Sequence, residues 1–247
     1  MRFSQLCLYF FRLSRNKMSL FIILSIVLFD KGNLLFQYYF FGQEQGNLLN
    51  LLLGNKGILN GGFNGISLIF YFIPLLLFSA YFFEITTSPF FILHTSKKRH
   101  LINRNIFLLA LVTGCLTFFY FIDLTLTHYL FNWLIYKSDL PFSVGYYPLL
   151  KLFAIRLLQN FFLELTVMTL SHLIKIPFIS WFIVWGIASS MLIMPVGKWS
   201  LLFFMDQETI LHNSNFSLSF SYSFFANLLL YCFLLVIGRR KCNIETG

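Results

Sequence analysis

Five ionisable side chains interrupt long apolar stretches of this chain: Asp30, Asp123, Lys151, Arg156 and Glu164. A charge in hydrocarbon costs about 2.5–3.5 kcal/mol on insertion scales, so such residues turn inward and pair with one another. Asp123 lies eight residues before Phe131, roughly 12 Å along a helix at 1.5 Å per residue. Arg156 lies nine residues after Tyr147, about 13–14 Å along the next helix. Equal depth on consecutive helices predicts an Asp123–Arg156 ion pair. Arg156, Asn160 and Glu164 recur every four residues, which sets them on one helix face. Two readings of that face stand open: a polar seam that glues helices, or the lining of a translocation path.

No residue pattern points to catalysis. The sequence has no G-x-x-x-x-G-K-[ST] loop for nucleotide phosphates, no H-E-x-x-H and no G-x-S-x-G. The five histidines (94, 100, 128, 172 and 212) are scattered. Cys7, Cys115, Cys232 and Cys242 have no zinc or redox spacing and read as free thiols. The expectation is a non-enzyme with no catalytic residue, metal site or cofactor of its own.

The elements that must hold these side chains follow from composition. Of 247 residues 58% are hydrophobic and 11% charged, and 34 are phenylalanine. A soluble domain carries about 25% charged residues, and no soluble fold of this size could bury so much apolar surface. The expected fold is all-α: a polytopic membrane protein forming one transmembrane domain over residues 1–247, with six spans of about 20 apolar residues each. They fall at 18–41, 64–84, 105–131, 147–172, 177–196 and 216–238. The first follows a basic start, but Asp30, Lys31 and Gly32 replace a small-residue cleavage site, so an uncleaved span is expected.

Orientation comes from the basic residues. Arg2, Arg12, Arg15, Lys17, Lys97, Lys98, Arg99, Arg104, Lys175, Arg239, Arg240 and Lys241 fall on one side of this layout; Lys56, Lys137 and Lys198 fall on the other. The positive-inside rule places the first group, with both termini, in the cytoplasm. The net charge of +9 is thereby explained by membrane flanks and anionic lipid, and no nucleic acid is needed.

Two basic segments remain. Residues 88–104 read as a short amphipathic helix at the membrane surface. Ser88 would cap it and Pro89 would open it, with Phe90, Leu93 and His94 on one face and Lys97, Lys98 and Arg99 following. It is either a basic anchor or a docking helix for a cytoplasmic partner. Residues 1–17 mix Phe3, Leu6, Phe10 and Phe11 with Arg2, Arg12 and Arg15, and read as an interfacial helix or an ordinary basic terminus. The outer segments 42–62 and 197–215 carry apolar clusters, which dip back into the leaflet or pack over the bundle.

This layout resembles the permease subunits of type-2 ABC exporters, especially the small bacterial ones associated with peptide antibiotics. The resemblance covers the whole chain and rests on layout, since the family has no strict motif. It makes 1–17 the interfacial helix, 88–104 the coupling helix, and 199–211 a re-entrant piece before the last span. It departs in the charged first span. The resemblance implies a bacterial cell-membrane protein and a separate cytoplasmic ATPase subunit that binds ATP and Mg. It also implies a second permease half, identical or different, and an amphipathic cargo: a peptide, a lipid-linked molecule or a drug. Two other readings fit the same spans: an ATP-independent membrane immunity or binding protein, and the substrate-binding subunit of a vitamin uptake transporter. The charge pairing is testable by itself. Asp123→Arg and Arg156→Asp should each lower the yield of monodisperse protein in detergent, and the double swap should restore it.

Overall fold

A computed structural model describes residues 101–131, 133, 146–193 and 213–244, together with isolated positions at 24, 28, 73, 75, 76, 79, 80 and 83. All of these residues are helical apart from a two-residue turn at Lys175 and Ile176. Four helices emerge: α1 (Leu101–Phe131), α2 (Tyr146–Ile174), α3 (Pro177–Ile193) and α4 (Asn213–Ile244). Three of them contain stretches long and apolar enough to cross a membrane: Asn105–Asp123, Leu149–Ile174 and Phe216–Ile237. α3 has 17 residues, about 26 Å of helix, and is apolar but shorter.

The helices outrun the apolar limits read from sequence. α1 starts at Leu101, so residues 101–104 of the expected surface segment belong to the long helix, where Ile102 packs on the core. α2 exceeds 147–172 by one residue at its start and two at its end. α4 starts three residues before Phe216 and continues past Gly238 through the backbone of Arg239, Arg240 and Lys241 to Ile244. Helical hydrogen bonding does not stop where an apolar stretch does. Residues 194–196 of the expected fifth span lie outside the described residues. So do 1–17, all of 18–41 but Leu24 and Leu28, most of 64–84, residues 88–100, and 199–211.

α2 occupies the centre. It packs against α1, α3 and α4, and 61% of its apolar window is buried, against 17% for α4. It is also the least apolar of the three spanning stretches. Lipid explains the match: a polar side chain gains most by leaving hydrocarbon, so the helix richest in polar groups takes the middle. Apolar packing surrounds it, with Leu109 and Leu116 from α1, Leu152, Ile155 and Leu163 from α2, Val184 and Ala188 from α3 and Leu234 from α4. Phe153 receives Phe118 and Phe121 edge-on at 6.2 and 5.6 Å. The opposite face of α4 leaves Phe224, Phe225, Leu228, Leu229 and Phe233 exposed, a surface suited to acyl chains.

The α2–α3 connection is a tight reversal. Lys175 adopts φ 63°, in the left-handed region, and its N–H donates to the Ser171 carbonyl at 3.0 Å. That is the usual left-handed closure of a helix, here without the customary glycine. Pro177 then opens α3, where its missing N–H costs nothing, and the Ile176 carbonyl accepts from the Ser180 N–H at 3.2 Å. A left-handed lysine costs about 1–2 kcal/mol, more than the ~0.4–1 kcal/mol that glycine loses through the unfolded state. Lys175→Gly should therefore raise the thermal unfolding midpoint in detergent, and the β-branched Lys175→Val should lower it.

Candidate functional site

The polar residues of α2 are interior. Arg156, Gln159, Asn160 and Glu164 are each 2% exposed or less. The four-residue spacing of Arg156, Asn160 and Glu164 turns all three inward, and Gln159 joins them. Arg156 Nη1 donates to Gln159 Oε1 at 3.0 Å, one turn along the same helix.

α1 supplies the facing groups. Thr113 and Thr117, both fully buried, sit one turn apart. Asn160 Nδ2 donates to Thr117 Oγ1 at 2.9 Å, and Thr113 Oγ1 is hydrogen-bonded to Glu164 Oε2. Stepping four residues forward on α1 matches stepping four back on α2, so the two helices run antiparallel in one register. Continued by another turn, that register brings residue 121 opposite Arg156. Asp123 is then about 3 Å farther along the axis. Asp123 is half-buried, and its ion pair with Arg156 stays a proposal.

α4 is bound to α2 as well. Asn227 Nδ2 donates to the Leu158 carbonyl at 3.0 Å and to the Ser223 carbonyl of its own helix at 2.8 Å, which uses both amide protons. Ser219, Ser223 and Asn227, spaced by four, form the buried face of α4. Nearer the starts of both helices, Lys151 Nζ lies 4.3 Å from the Tyr147 ring centroid and 5.1 Å from that of Phe216. These contacts fix α2 and α4 as parallel neighbours. The rings also surround the ammonium that the sequence left in an apolar stretch.

Several other hydroxyls bond within their own helix. Thr125, Thr166, Thr169 and Ser171 each donate to the carbonyl four residues earlier at 2.7 Å. This is the standard way to hide a hydroxyl in a membrane helix. His172, near the end of α2, meets Phe83 edge-on at 4.7 Å. Asn103 and Asn105 lie within the first turns of α1. Asn105 is buried, and Asn103 Oδ1 accepts from Tyr231 Oη at 3.4 Å.

Thr113, Thr117, Gln159 and Asn227 were not singled out by sequence reasoning. The available signals were the four-residue interval between the threonines and the lone amide in the last span. The surface segment Ser88, Pro89, Phe90, Leu93, His94, Lys97, Lys98 and Arg99 lies outside the described residues. Among the described residues no group of three or more His, Cys, Asp or Glu side chains could hold a metal ion. Cys115 and Cys232 are free and exposed.

No protein-family model, no curated protein and no solved structure matches this chain.

Cross-helix bonds of these buried polar residues join α1 to α2 and α4 to α2. A double-mutant cycle of Thr117→Ala with Asn160→Ala should give a coupling of about 0.6 kcal/mol, the mean for interhelical hydrogen bonds in bilayers. Reversible unfolding in mixed detergent micelles would read it.

Proposed function

We propose that this chain is the membrane-spanning subunit of an ATP-driven exporter in a bacterial cell membrane. It would have six spans, cytoplasmic termini and a separate ATPase partner. The observation that carries the reading is the closure of the polar seam. Arg156, Gln159, Asn160 and Glu164 are all buried within one chain, and Asn160 and Glu164 are bonded to α1. A path for an amphipathic cargo then runs along the surface of the chain, between two permease halves, and not through the middle of one. A body so bonded internally moves as a unit when pushed from outside. The sequence holds no phosphate-binding loop, so the push comes from another subunit. The basic segment 88–104 is the proposed place of contact, through Phe90, Leu93 and His94 with Lys97, Lys98 and Arg99. The alternatives, an ATP-independent immunity or binding protein and a vitamin-binding uptake subunit, do not use that segment for docking an exporter ATPase.

Changing Lys97, Lys98 and Arg99 together to Ala should reduce co-purification of an ATPase subunit by about tenfold, or 1.4 kcal/mol. Membrane insertion should be unchanged. Undiminished co-purification would remove the coupling role, and the absence of any such ATPase complex with the unaltered chain would remove the exporter reading.

A further inference from the structure

The corner between α2 and α3 has the wrong surface for a loop in water. Only Lys175 and Ile176 separate the two helices. Lys175 is exposed, and so are the apolar Leu173, Ile174, Ile176, Phe178 and Ile179 around it. A turn that stands clear of a membrane is polar, whereas this one sets a single charge among apolar side chains. The apolar spanning stretch of α2 also runs up to Ile174, the last residue before the turn.

The register of the bundle gives the level of that charge. Thr117 is bonded to Asn160 and Thr113 to Glu164, and the same antiparallel register continued to the end of α2 brings Ile102 of α1 level with Lys175. Arg104 is about 3 Å from that level. On α4, Asn227 meets Leu158 and Phe216 meets Lys151, a parallel register that brings residues 240–244 level with Lys175. Arg240 and Lys241 open that stretch, and Arg239 precedes it. Three helices thus bring Arg104, Lys175 and the run 239–241 to one layer at one end of the described bundle. Among the described residues at this end, 101–110, 165–193 and 228–244, there is no Asp or Glu.

A lysine exposed among apolar side chains, at the level of a basic layer, sits where hydrocarbon meets headgroups. Its stem lies along acyl chains and its ammonium reaches outward. We propose that the α2–α3 corner is a binding site for an anionic phospholipid. The Lys175 ammonium takes the phosphate, and Leu173, Ile174, Ile176 and Phe178 take the upper part of the acyl chains. Every phospholipid carries a phosphate, but a zwitterionic headgroup adds a cation that the basic layer repels. A headgroup without that cation is favoured. The turn also fixes the site: the Lys175 N–H closes α2 on the Ser171 carbonyl and Pro177 opens α3, so the backbone that carries the ammonium is held on both sides. The inference stands without the exporter reading and does not depend on which compartment the basic end faces.

Photo-crosslinking of the full-length chain tests it. A benzophenone side chain in place of Phe178 is irradiated in nanodiscs of equal parts phosphatidylglycerol and phosphatidylcholine with the same acyl chains, and the lipid adducts are weighed by mass spectrometry. Phosphatidylglycerol adducts should exceed phosphatidylcholine adducts by about fivefold, the weight of one basic residue at an anionic surface. Lys175→Gly, which suits the left-handed backbone, should bring the ratio close to one, and Lys175→Arg should keep it. The same probe in place of Phe225, on the exposed face of α4, should give a ratio near one throughout. Equal adducts at Phe178 in the otherwise unaltered chain would overturn the proposal. So would a preference that survives Lys175→Gly, or adducts at Phe178 to protein instead of lipid, which would mark the corner as covered by another chain or another part of this one.

Discussion

Every arrangement described depends on the cost of an unsatisfied polar group in hydrocarbon. In water the apolar residues are driven inward; here the polar ones are. That inversion explains why α2, the least apolar of the three long spanning stretches, is the most buried. It also explains why α4, with no charged residue in its apolar window, lies at the edge with most of that window uncovered. Apolar packing fills the space between helices, but lipid tails could fill it nearly as well, so it does not select neighbours. The hydrogen bonds from Asn160 to Thr117, from Asn227 to Leu158 and between Thr113 and Glu164 do select them.

Much of this was legible in advance, and the reason differs by element. Composition alone demanded helices in lipid, because only a helix satisfies its own backbone there. The α2–α3 corner was visible as Lys175 and Pro177 between two apolar runs, and the described turn falls at that corner. Spacing put Arg156, Asn160 and Glu164 on one face, and all three are buried. What faces them was hidden. Thr113 and Thr117 cost little in hydrocarbon, since each can bond its own helix, so nothing in the sequence marks them as cross-helix partners. The pairing of α4 with α2 was hidden for another reason: it joins helices distant in the chain, through one amide and one ammonium between rings. Hydropathy marks apolar spans and not helix ends, so polar residues continue the helices beyond those limits, from Leu101 and past Gly238.

The seam also bears on how the proposed machine would work. Helices joined by buried hydrogen bonds resist sliding, because a shift of one turn would leave several polar groups unpaired at once. Motion is then confined to the surfaces where apolar side chains meet lipid or another subunit, and the exposed side of α4 is the largest such surface among the described helices.

The exposed flank of α4 carries a consequence for the surrounding bilayer. Its apolar stretch is 22 residues, roughly 33 Å of helix. Hydrocarbon is about 30 Å thick, so a helix of that length meets its lipid by leaning off the membrane normal or by drawing longer acyl chains beside it, at a cost of fractions of a kcal/mol per Å of mismatch.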